Sequence, residues 1–248
     1  MTALSVNLNK FALLRNSRDK NSPNIISLAR RCIKAGANGI TVHPRPDQRH
    51  TKYRDVYDLA SLIKKFPTIE FNVEGNPIYS FLELVKQVKP NQCTLVPDSP
   101  NQLTSDHGWD LRHNTERLKP IVNDLQKLGI RVSIFLDPDS NQISLAKMLG
   151  TDRIELYTET FANSFGKESQ EDVLEQYRKL SMEAQELGLG VNAGHDLNLH
   201  NLGLFLTIPK ILEVSIGHAI AVDSIDYGLE VTLNKYLETI QIAHLKTQ

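Results

Sequence analysis

The sequence predicts an α/β protein built as a single (β/α)8 barrel with extra helices, and three observations carry that reading. Eight short runs rich in Val, Ile and Leu recur along the chain, at residues 4–8, 39–43, 69–74, 92–96, 131–137, 153–158, 190–194 and 212–217. Segments with helical spacing of apolar residues separate most of them. The 248 residues shared among eight units leave about 31 each, the size of one strand and helix in a closed barrel of roughly 250 residues. Strands apolar on both faces that alternate with helices belong to a parallel sheet covered by helices. An open doubly wound sheet is the structural alternative. No Pro/Gly/Ser linker or low-complexity segment divides the chain, so residues 1–248 read as one catalytic domain.

Each element has its own local reason. The first strand, LSVNL, is followed by IISLARRCIKAGA, where Ile25, Leu28, Ala29, Cys32 and Ile33 fall on one helical face and Ala35-Gly36 supplies a stop. GITVH is the second strand and VYDLASLIKKF the helix after it; the third strand runs into Gly75-Asn76-Pro77, a turn signal, before YSFLELVKQV. QCTLV is the fourth. The longest non-periodic stretch, PDSPNQLTSDHGWD at 97–110, comes next and reads as a mobile loop on the catalytic side. The helical segments 117–129, 143–150 and 173–188 then alternate with the remaining strands, each closing on glycine. The last strand ends in SIGHAI, 215–220, which opens a helix.

Composition excludes several classes. With 28 basic against 29 acidic residues the formal net charge is −1, and no block of one sign is present to attract nucleic acid or anionic lipid. Cys32 and Cys93 lie far apart inside apolar runs, so a disulfide framework or a cysteine metal site has no support. The N-terminal segment lacks a long apolar stretch with a cleavage site, and no run reaches the roughly 18 apolar residues of a membrane span. A cytoplasmic protein is expected.

In a barrel, strand C-termini and the loops after them build the active site, whereas the opposite ends serve stability. The polar residues at those ends are Asn7 and Asn9, His43 with Arg45 and His50, Glu74, Asp98 with Thr104, Glu155, His195, and Gly217 with His218. Any one histidine there is equally well explained as a satisfied structural residue. Several histidines and carboxylates converging in one ring are what acid–base chemistry requires. Arg18, Arg45 and Arg49 offer guanidinium donors to anions, with Arg49 the one best read as solvated. Glu74 ends an apolar strand, where desolvation raises a carboxyl into the range of a useful base; a buried ion pair is the other explanation. The backbone N–H groups of SIGHAI suit a phosphate.

VNLNKFALLRNSR, GITVHPRPDQRH, FNVEGNP, CTLVPD, VNAGHDLNLHN and SIGHAI, in that order, closely resemble the motifs of the pyridoxine 5'-phosphate synthase family. The resemblance spans most of the chain and implies a condensation of 1-deoxy-D-xylulose 5-phosphate with 3-amino-2-oxopropyl phosphate to pyridoxine 5'-phosphate, inorganic phosphate and water, in vitamin B6 biosynthesis. It implies no metal or redox cofactor, and a homo-octamer. By position, His43 matches the family's acid–base histidine, Glu74 its glutamate base, His195 its later proton donor and Glu155 a carboxylate that stabilises charged intermediates. Arg45 and His50 match the sugar-phosphate ligands, with Thr104 in the substrate-covering loop. Asn7, Arg18, Gly217 and His218 match the surroundings of the aminoketone phosphate.

The chain departs from the pattern at Asn9-Lys10, where many members carry Asp-His, and at Asp196, where many carry Gly. All three positions are expected to touch substrate. Lys10 also keeps a Schiff-base aldolase in view. A metal-dependent barrel hydrolase or isomerase would draw on His43, His50, Glu74, Glu155, His195 and His218, although the first strand ends in Asn-Leu-Asn rather than the His-x-His of many amidohydrolases. A non-catalytic phosphate-binding protein would have no use for Glu74 and His195.

Overall fold

The computed structural model describes residues 1–18, 20–99, 102 and 105–246. Eight strands, β1 (Ala3–Asn7), β2 (Gly39–Val42), β3 (Glu70–Gly75), β4 (Gln92–Leu95), β5 (Arg131–Leu136), β6 (Arg153–Leu156), β7 (Gly190–Ala193) and β8 (Ile211–Ile216), pair in parallel and in sequence order, and β8 closes on β1. The helices are α1 (Asn9–Asn16), α2 (Ile25–Lys34), α3 (Tyr53–Ile63), α4 (Tyr79–Val88), α5 (Leu111–Lys127), α6 (Ser140–Leu149), α7 (Glu159–Ser164), α8 (Gln170–Glu186), α9 (Leu202–Phe205), α10 (His218–Tyr227) and α11 (Leu229–Lys246). This is the closed (β/α)8 barrel that the alternation predicts; the open sheet is excluded.

The strands are not apolar on both faces. Leu4, Val6, Ile40, Val42, Phe71 and Val73 are buried in the main apolar core, whereas the alternate residues Ser5, Thr41, Asn72 and Thr94 are buried and joined to one another. Ser5 and Thr41 hydroxyls lie 2.7 Å apart, and the Thr94 hydroxyl donates to Asn72 at 3.1 Å. The period of two is therefore apolar outward and polar inward. Sequence runs such as FNVE hide this because Asn and Glu interrupt the β-branched residues only once each.

Helices beyond the segments read from the sequence include α11 and α1. α11 buries Leu229, Thr232, Leu233, Tyr236, Ile240 and Ala243, a regular helical stripe, but exposed Val231, Ile242 and Leu245 blur it. α1 begins directly after β1, so its apolar residues read as a continuation of the strand. The 97–110 segment is not wholly a free loop. Trp109 is buried, with its indole N–H donating to the Leu95 carbonyl at 3.0 Å and its backbone N–H to Phe135 at 2.9 Å. Gly108 packs so closely that a Cβ would lie 2.2 Å from the Asp137 nitrogen.

Candidate active site

A cavity of about 620 Å³ opens at the C-terminal ends of the strands, within the range of small-molecule sites. Asn7 ends β1, and its side-chain N–H₂ donates to Glu74 at 3.4 Å. Asn9 begins α1 and accepts from both the His43 backbone N–H and the Thr51 hydroxyl, each at 2.9 Å. It therefore ties β1 to the loop after β2. Asn16, at the far end of α1, donates to the His50 carbonyl at 2.6 Å and to the Arg49 carbonyl at 2.9 Å. Arg15 clamps Asp55 through two bonds of 2.6 and 2.8 Å, fixing α1 to α3. The loop bearing Arg45 and His50 is thereby held from both sides.

Deeper in, Glu74 on β3 faces Glu155 on β6. Both are buried. Glu74 receives long hydrogen bonds from Asn72 at 3.4 Å and Ser215 at 3.5 Å, while Glu155 Oε2 is buried without a partner among the described residues. Arg45 pairs with Asp98 and donates to the Gln102 carbonyl, and Ser105 donates to Asp98 at 2.9 Å. His50 Nδ1 and Asp98 Oδ1 are also buried without partners among the described residues. Of these residues His50 and Glu155 line the cavity, where a polar ligand would complete unsatisfied buried atoms.

The electrostatics follow from burial. Burial, then Glu155, Glu213 and Asp98, push Glu74 well above the usual carboxylate range. Burial and Glu213 raise Glu155 to about 8. Burial first, then the Arg45 guanidinium and His50, take His43 down to about 3, and burial with Lys10, Arg45 and Arg49 takes His50 to about 4. At neutral pH the His43 ring is neutral, so its 3.9 Å approach to Asp98 is not an ion pair. At neutral pH the site thus keeps a proton within its carboxyl pair and leaves the His43 and His50 rings neutral, the reverse of the usual arrangement.

On the opposite wall Gly194 and Gly217 bring backbone close to backbone or side chain. A Cβ on Gly194 would lie 2.3 Å from the Ser215 carbonyl oxygen, and one on Gly217 3.0 Å from Asn7 Cβ. Gly217 precedes α10, whose first N–H groups, at His218 and beyond, have no intrahelical acceptor. His195 follows β7, with Asp196 beside it.

Comparison with known proteins identifies the group to which this arrangement belongs. The family model described as pyridoxal phosphate biosynthesis protein PdxJ matches residues 4–242. This chain belongs to the PdxJ family. Among similar proteins, the pyridoxine 5'-phosphate synthase of Cytophaga hutchinsonii is 48% identical over 242 residues, covering 97% of this chain and 100% of the relative. That of Porphyromonas gingivalis is 49% identical over 243 residues, covering 98% and 100%. The solved phosphoribosyl anthranilate isomerase of Thermotoga maritima superposes with a TM-score of 0.61 at 10% identity, over 97% of this chain and 99% of that one, which shows the barrel fold alone.

In this PdxJ chain the cavity gathers nearly every residue singled out in the sequence: Asn7, Asn9, Lys10, His43, Arg45, His50, Glu74, Glu155, His195, Asp196, Gly217 and His218 all line it. Arg18 does not. It is exposed beyond the C-terminus of α1, outside the cavity lining. Thr104 lies outside the described residues. Arg49 turns to Asp47 within its own loop. The sequence reading missed Ser105, Phe135, Glu159, Asn163, Asn198 and Ser215, which also line the cavity. Glu159 and Asn163 sit on α7, a single short turn of helix with no periodic signal; Ser215 lies one position before the end of β8, where inward-facing alternation would have found it. Among the described residues no group of three or more His, Cys, Asp or Glu side chains is arranged to hold a metal ion, and no helix is long and apolar enough to cross a membrane.

Proposed function

We propose that this chain is a pyridoxine 5'-phosphate synthase that condenses 1-deoxy-D-xylulose 5-phosphate with 3-amino-2-oxopropyl phosphate in vitamin B6 biosynthesis. The observation that carries the reading is the convergence of a buried carboxyl pair, two neutral imidazoles and two kinds of anion donor on one cavity of a PdxJ-family barrel. Joining an amine to a ketone, expelling phosphate and closing an aromatic ring require protons to be taken from carbon and given to departing oxygens. Glu74 and Glu155 cannot both ionise in their shared buried site, so one serves as base while the other holds a proton. His43, neutral in the free enzyme, accepts a proton readily once an anionic substrate offsets Arg45. His195 supplies protons in the later steps.

Two anion sites divide the mouth. Arg45 and His50, with Thr104 from the loop after β4, hold the sugar phosphate that is eliminated. The α10 N-terminus at Gly217 and His218, with Asn7, holds the aminoketone phosphate. Arg18, exposed beyond α1 and outside this cavity within one chain, is also assigned to the aminoketone phosphate in this proposal. Lys10 adds a cation between the sites. The whole chain, residues 1–248, works as one catalytic domain in the cytoplasm. Exposed Leu13 and Leu14 on α1 and Val222, Ile225 and Tyr227 on α10 support assembly with further copies, as in an octamer. Expression in a bacterial strain lacking its own pyridoxine 5'-phosphate synthase tests the function: growth without added pyridoxine is expected from the chain and not from Glu74→Gln. Failure of the unaltered chain to restore growth, when it is produced folded, contradicts the proposal.

A further inference from the structure

Asp196 stands in a left-handed backbone conformation, φ 63°. Residues with a Cβ rarely adopt it, Asn and Asp excepted because their side chains hydrogen-bond locally. Glycine would take this turn without strain, so the presence of an acidic side chain asks for a reason. Its carbonyl is anchored by the side-chain amides of Asn198 at 3.4 Å and Asn201 at 3.1 Å, which hold the turn in place. From that fixed turn the carboxylate Oδ2 reaches His195 Nδ1 at 3.0 Å.

The partners of the imidazole define what this contact does. A carboxylate only accepts hydrogen bonds, so the His195 proton must lie on Nδ1. The hydrogen bond to His195 holds the Asp196 carboxyl below its usual range, with His218 and Lys10 adding to the effect, and the group is an anion at neutral pH. Tyr157 sets the ring from another side, edge to face with centroids 5.0 Å apart. Its hydroxyl donates to Glu159 at 2.6 Å, which fixes the tyrosine in turn. The Thr158 hydroxyl donates to the His195 carbonyl. Backbone, ring face and Nδ1 of His195 are thus each held by a different neighbour.

We infer that Asp196 is a positioning residue for His195: its carboxylate keeps the proton on Nδ1 and reserves Nε2 for proton exchange with the reacting substrate. The tautomer belongs to the free protein; its catalytic consequence rests on the synthase reading above. Asp196 is thereby assigned to the histidine rather than to a substrate.

Nitrogen-15 NMR of the full chain labelled at histidine reads the tautomer without substrate, and steady-state kinetics with both substrates read its consequence. In the unaltered protein His195 is expected in the Nδ1–H form. Asp196→Gly should relax the left-handed turn, leaving the thermal midpoint equal or higher, yet abolish the tautomer preference and lower kcat by about ten- to a hundredfold with little change in KM. Asp196→Asn keeps an acceptor but removes the charge, and should fall between the two. A merely structural role predicts the opposite pattern, a lower midpoint with kcat preserved, and that result would overturn the inference. So would an Nε2–H tautomer in the unaltered protein. If the unaltered protein forms no pyridoxine 5'-phosphate, the synthase reading fails, while the NMR signal still decides the Asp196–His195 bond.

Discussion

Raising the pH from 7 to 8 is expected to destabilise the folded protein, and Glu155→Gln to remove much of that dependence. Glu155 is buried beside Glu74 and Glu213 and titrates at about 8 in the folded chain, against an ordinary value near 4.3. Between those values the folded form keeps a proton that the unfolded chain has released, so stability falls as pH rises. Across pH 7 to 8 the folded carboxyl is mostly protonated, which makes the loss from Glu155 alone about 1 kcal/mol. Glu74, raised well above the usual carboxylate range by burial and by Glu155, Glu213 and Asp98, acts in the same direction. His43 and His50 act in the opposite sense, because their folded values of about 3 and 4 lie below the ordinary 6.5 or so. Their contribution is lost only as pH falls below that point, and it is nearly constant above pH 7. Urea unfolding at pH 7 and pH 8 on both proteins measures the difference. The unaltered chain should lose at least about 1 kcal/mol and the variant distinctly less. Equal losses, or a stability that rises over this interval, would refute the assignment of a shared buried proton to the carboxyl pair.

Glu74→Gln should leave the fold and phosphate binding nearly intact while lowering turnover about 10²- to 10⁴-fold, the range of a positioned acid–base group; near-normal turnover in that variant removes Glu74 from the mechanism. Arg45→Ala strands the buried Asp98 carboxylate, so unfolding should become easier by about 3–5 kcal/mol, with calorimetry showing weaker sugar-phosphate binding and little change for the aminoketone; a variant as stable as the parent would mean that the pair is solvated. Borohydride added with either substrate should leave no adduct on Lys10 by mass spectrometry, and a trapped adduct there would point to an aldolase-type imine.

The barrel was legible because its strands and helices are told apart by period alone, and its strand ends then named the site. The eight runs read from sequence coincide with β1 to β8 to within a residue or two. The polar lumen was not legible, since a strand such as ITV or FNVE looks apolar until the neighbouring strands show which side Thr41, Asn72 and Glu74 face. α11 was missed because exposed apolar residues fill the gaps in its buried stripe. Within the site, His43, Glu74, Glu155 and His195 were found by position. Burial at a strand end also gave the direction for Glu74, but the shifts of His43 and Glu155 were not legible, because they depend on which groups the closed barrel brings together: Glu213 on one strand raises Glu155 on another. The role of Asp196 needed a backbone angle that no residue pattern displays. The resemblance supplies a sequence position for Arg18 but not its place in the fold, exposed beyond the end of α1.

The most direct test of the central claim is phosphorus NMR of the purified chain with both phosphorylated substrates, in the presence of a metal chelator. Both substrate signals should disappear together, with one inorganic phosphate appearing for each pyridoxine 5'-phosphate formed and no turnover of either substrate alone. Phosphate release from a single substrate, or loss of product formation on chelation, would contradict the account.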